Sequence, residues 1–128
     1  MGRIMESETK LRLENSGIDV EDVLERFMGN EKLMERFLKK FIDDPHFPLL
    51  FEAFDQQDYE KAFQEAHTLK GVCGNLSMTT LFEQVSFLVE CLRVQDHTKA
   101  KEQLFKIKEN HEKIIETLKE IYGNEKDQ

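Results

Sequence analysis

Apolar residues recur at alternating steps of three and four along this chain, and that rhythm constrains the fold more than any other feature. Between residues 59 and 76 the seam runs through Tyr59, Ala62, Ala66, Leu69, Cys73 and Leu76. Leu81, Val85, Leu88 and Leu92 carry it through the next stretch. Ala100, Leu104, Ile107, His111, Ile114, Leu118 and Ile121 carry it through the last. Such steps line up one stripe on an α-helix, whereas a half-buried strand needs alternation of period two. Six glycines and two prolines in 128 residues are about half of ordinary usage. So few chain-breakers cannot supply the turns of a sandwich or barrel. At this length there is room for one core, which excludes a two-domain enzyme.

The boundaries follow from local signals. Asp19 reads as an N-cap before Val20, Val23, Leu24, Phe27 and Met28, with Gly29 as the stop. Asn30 caps a stretch with Leu33, Met34, Phe37, Leu38, Phe41 and Ile42 on one face. Asp44-Pro45-His46-Phe47-Pro48 ends that stretch, because proline cannot continue a helix. A short apolar segment, Leu49 to Phe54, follows. Thr80 and Glu83 have capping-box spacing, and Gln95-Asp96-His97-Thr98 reads as a turn. The expected fold is all-α: an up-and-down antiparallel four-helix bundle with an additional short N-terminal helix. Helices over 59–76, 79–94 and 98–122 build it, and 31–54 closes it. Residues 1–16 are an N-terminal extension, 17–123 the domain and 124–128 a flexible tail.

Charge narrows the partners. Twenty-six acids against 18 bases give a net charge of −8, which repels phosphate backbones and anionic lipid, so neither nucleic acid nor membrane is expected. No apolar run approaches the roughly 20 residues of a membrane span, and the start MGRIMESETK lacks an apolar signal core. The chain reads as cytoplasmic, with Cys73 and Cys91 as reduced packing residues. There is no H-E-x-x-H or E-x-x-H pattern and no metal site is expected. His111 falls in the last seam and reads as a hydrogen-bonded core or boundary histidine. His46 and His97 fall in turns and read as incidental.

The face opposite the 59–76 seam carries chemistry. At about 100° per residue, His67 lies roughly 140° from the centre of the seam and points to solvent. Lys70, Gly71 and Gly74 follow at i+3, i+4 and i+7 on the same face, and Phe63 and Gln64 precede it at its flank. Two glycines inside a helix each cost about 0.8–1 kcal/mol relative to alanine. They clear space for something large to approach His67, or they let another helix pack closely. Phe63 serves either the bundle edge or a docking surface. An imidazole titrating near about 6.5 is a good nucleophile at neutral pH. Lys70 supplies charge for an arriving phosphoryl group.

The run Ala66-His67-Thr68-Leu69-Lys70-Gly71-Val72-Cys73-Gly74-Asn75-Leu76 resembles the signature of the histidine-containing phosphotransfer (HPt) domain family, H-x-L-K-G followed by small residues. Ile18-Asp19-Val20, the Phe41–Asp44 helix end and Asp58-Tyr59 are similar to the family pattern, so the likeness covers about residues 18–122. One position departs: Ser77 stands where the family usually has glycine. The resemblance implies that His67 accepts a phosphoryl group from an aspartyl phosphate on a receiver domain and passes it to another. It implies that Lys70 stabilises the group and that Gly71 and Gly74 let the receiver's loops close over it; Phe63 and Gln64, from their place beside His67, are further candidates for partner contact. The partners would be receivers of response regulators or hybrid histidine kinases, and the chain a monomeric phosphocarrier. It would need no cofactor of its own, magnesium being expected on the receiver. Hairpin geometry sets Val89, Glu90 and Arg93 near the level of His67, where Glu90 or Arg93 would orient the imidazole or meet the receiver. The competing reading is a non-phosphorylated helical adaptor that binds receiver domains.

Overall fold

The computed structural model describes residues 6–123. Its elements are α1 (Ser7–Asn15), α2 (Val20–Arg26), α3 (Glu31–Ile42), α4 (His46–Asp55), α5 (Tyr59–Asn75), α6 (Thr79–Arg93) and α7 (His97–Tyr122). The fold is all-helical. Among the described residues there is no strand, only an isolated bridge between Ile18 and Met78. The proposed tail, 124–128, lies outside them.

Four helices begin on a side chain that accepts from the N–H three residues on: Asp19, Asn30, Asp58 and Asp96. Each such cap is worth on the order of 1 kcal/mol. Asp96 starts α7 at His97, one residue before the expected boundary. The Thr80–Glu83 capping box does not form. Helix α6 starts at Thr79 behind Met78, with no side-chain cap. A distant backbone carbonyl, that of Gly17, accepts from Thr79 N at 3.1 Å instead. Helix α4 also corrects the expected boundary, since it runs from His46 through Pro48 rather than from residue 49. Pro48 falls in the first turn, where an N–H has no intrahelical partner to lose. Asp44 Oδ1 accepts from His46 N at 2.8 Å at that start.

The seams meet in one core. Helix α5 packs most extensively on α4 and α6, α6 packs on α7, and α3 also lies against α7. Ala62, Ala66, Leu69 and Cys73 of α5 are fully buried, with Leu81, Val85 and Leu88 of α6 and Ile107, Ile114 and Leu118 of α7. Each large apolar side chain removed from water contributes roughly 1.5–3 kcal/mol. Helix α1 reaches the same core through Leu13, which is fully buried. Both cysteines are free and buried, and burial pushes the Cys73 thiol up to about 12.

The three other histidines are structural. His111 stacks on Phe47 at 3.8 Å between ring centroids, with Phe41 and Phe51 edge-on. This corrects the expected hydrogen bond: among the described residues the ring is held by aromatic packing. His97 is not incidental, since it stacks on Tyr59 at 3.7 Å. Nor is His46, whose Nδ1 lies 2.7 Å from Glu65 Oε1 and ties α4 to α5.

Candidate functional site

The seam of α5 fixes the orientation of everything opposite it. With Ala66, Leu69 and Cys73 turned into the core, His67 and Gly71 are exposed and Lys70 is half-buried. These three line one open cleft of about 550 Å³ with Gly74, Asn75 and the turn that follows α5. No hydrogen bond reaches the His67 imidazole among the described residues, so both ring nitrogens are available to a partner.

The two glycines do different things. A Cβ built on Gly71 would meet nothing within 4 Å, so the space beside His67 is open to solvent. On Gly74 it would lie 3.2 Å from Phe82 Cε1. The room that Gly74 leaves is filled from within the molecule, by a ring of α6. That is the close-packing alternative, realised at one glycine only.

On the other flank, Phe63 is half-buried against the core and its ring centroid lies 6.1 Å from that of His67. Gln64 is exposed. The Arg93 guanidinium lies over the Phe63 ring at 5.1 Å, and its Nε donates to Glu90 Oε1 at 3.2 Å. Glu90 and Arg93 pair with each other, and neither hydrogen-bonds the imidazole. This corrects the expectation that one of them orients it.

Reading α5 alone could not find the wall contributed by α2. Asp22 and Arg26 line the same cleft as His67, together with Ser77 from the turn. Ser77 Oγ donates to Asp22 Oδ2 at 2.7 Å, and Arg26 Nε donates to the same oxygen at 2.9 Å. These two donors, Ser77 first, hold the Asp22 carboxyl below its usual range. The i,i+4 spacing of Asp22 and Arg26 and the departure at Ser77 were the only local hints. A larger groove of about 890 Å³ shares Arg26 and Asn75 with this cleft and is lined by Phe27, Phe37 and Leu76. It carries no histidine, cysteine or serine. No group of three or more histidine, cysteine or acidic side chains among the described residues is arranged to hold a metal ion.

An exposed imidazole, a half-buried lysine one turn on and an unfilled glycine leave this face open to solvent. The family model of the Hpt domain matches residues 20–120. The chain belongs to the Hpt domain family. No curated protein and no solved structure is significantly similar to it. Hpt domains take part in phosphotransfer within two-component phosphorelays and interact with receiver domains. In this Hpt domain no described helix is long and apolar enough to cross a membrane.

Proposed function

We propose that this Hpt domain is a phosphorelay intermediate with His67 as its phosphorylated residue. A ring nitrogen of His67 attacks the phosphorus of an aspartyl phosphate on a receiver. The N–P bond forms, the P–O bond to the aspartate breaks, and the aspartate leaves with the electron pair as a carboxylate. The reverse sequence passes the group to a second receiver. Lys70 offsets the charge on the phosphoryl oxygens. Gly71 leaves room for the receiver's loops, and Phe63, Gln64 and the edge of Gly74 meet its surface. The frame is a four-helix up-and-down bundle, acting as a cytoplasmic monomer that adds no cofactor to the magnesium of the receiver.

The observation that carries this reading is the exposure of His67 beside Lys70 with open space over Gly71. Transfer from a receiver charged with radiolabelled acetyl phosphate tests it. The wild type gains acid-labile, alkali-stable label, as a phosphoramidate does, while His67→Gln gains none and melts like the wild type. Lys70→Ala lowers the transfer rate by about tenfold without abolishing receiver binding. A wild-type chain that binds the receiver but never gains label would be an adaptor instead.

A further inference from the structure

Ser77 adopts a conformation that serine ordinarily avoids. Its φ is +54°, in the left-handed region, and the residue is 4 % exposed. Met28, Gln57 and Gln95 adopt the same conformation just past the ends of α2, α4 and α6, so it is the ordinary left-handed cap of a helix C-terminus. Glycine would relieve the backbone there, so what serine adds is its hydroxyl. That hydroxyl is committed to Asp22 at 2.7 Å, and Asp22 in turn holds Arg26. The backbone of the same turn fixes α2 in place: Ser77 O accepts from Asp19 N at 2.9 Å, and Gly17 O accepts from Thr79 N at 3.1 Å.

Arg26 is therefore a held cation at the cleft. Its side chain is 50 % exposed. Nε is occupied by Asp22, while the two terminal amino groups make no hydrogen bond or ion pair among the described residues. A guanidinium fork in that state is suited to a carboxylate, which it can grip with paired N–H groups. Across the cleft the charged side chains are Arg26, Lys70, Asp22 and Glu83. Asp22 pairs with Arg26, and the Ser77 hydroxyl donates to the same carboxylate. The two cations and two anions cancel, so on a chain of net charge −8 the cleft is a locally neutral patch where an acidic surface meets no net repulsion.

Resting on the phosphotransfer reading of His67, we propose that Arg26 is a specificity-determining residue that pairs with a carboxylate on the docked receiver. Ser77 is a positioning residue that acts on Arg26 through Asp22. Receivers lacking a carboxylate at that point dock less well, so α2 selects among receivers that all carry the same aspartyl phosphate.

The test uses the full chain and the receiver domains of the source organism that label wild-type His67. Arg26→Ala raises the KM for the charged receiver about fivefold with kcat unchanged, because a contact at the rim affects docking and not chemistry. Arg26→Lys recovers part of the loss. Labelling of His67 by phosphoramidate, whose P–N bond breaks to release ammonia, proceeds as in the wild type because that donor has no surface to dock. Ser77→Gly raises KM in the wild-type background and changes nothing further in Arg26→Ala, as expected of two residues acting as one unit. An unchanged KM in Arg26→Ala overturns the proposal. So does loss of phosphoramidate labelling, which would put Arg26 on the phosphoryl group itself, and so does an undiminished Ser77→Gly effect in the Arg26→Ala background. A wild-type chain that no receiver labels overturns the phosphotransfer reading and this one with it. The Arg26 and Ser77 arms fail while wild-type transfer continues if only this inference is wrong.

Discussion

His67 and His111 are the same side chain in opposite settings. His67 lies on the exposed face of α5, free of hydrogen bonds among the described residues, where a second molecule can reach it. His111 lies among Phe41, Phe47 and Phe51. Burial pushes it down to about 4, the negative charge of Asp44 opposing that shift only in part. An unfolded chain binds this proton near pH 6.5. Between those values the unfolded state takes up a proton that the folded state refuses, so stability falls as pH drops from about 6.5 towards 4. His111→Phe should flatten that part of the profile, leaving the losses from carboxylates at lower pH. Urea midpoints at pH 7 and pH 4.5 check this. An equal decline in both proteins would remove His111 from the acid response.

On the proposed function, helix α5 carries a tension between folding and docking. Gly71 stands in its interior with open space above it, so Gly71→Gln should stabilise the isolated domain by about 0.5–1 kcal/mol. The same side chain occupies the approach to His67, and displacements on the order of 1 Å can cost about 100-fold in an in-line transfer. Thermal melts and transfer rates should therefore move in opposite directions. Gly74→Ala should gain less stability than Gly71→Ala, because its methyl group meets Phe82 at 3.2 Å. A destabilised Gly71→Gln would show that this face is packed within the molecule. One that transfers at full rate would show that the receiver docks elsewhere.

Taken together, the helices bury one cluster that runs from Leu13 in α1 to Tyr122 in α7. Leu13 is fully buried although the chain around it has little apolar pattern of its own. Helix α1 is also tied to α7 by the Arg12–Glu120 ion pair, which is exposed and contributes little by itself. The packing predicts that the N-terminal segment belongs to the cooperative unit. Leu13→Ala should cost about 2–5 kcal/mol through the cavity it leaves and lower the melting midpoint by roughly 10 °C. A melt unchanged by that substitution would show α1 to be a separable appendage.

Local spacing was enough for the helical class, for the caps at Asp19 and Asn30, and for the exposed face bearing His67, Lys70 and Gly71. Each depends on residues within two turns of one another, where the 3.6-residue period dictates direction. The same spacing could not separate Gly71 from Gly74, since the difference is a ring brought in from α6. It placed the start of α6 at residue 79 but not the partner of that N–H, because the accepting carbonyl belongs to Gly17. Nor could it bring Arg26 to His67, or stack His97 on Tyr59 and His111 on Phe47. Those pairings join segments far apart in the chain, and only the burial of all the seams in one core brings them into contact.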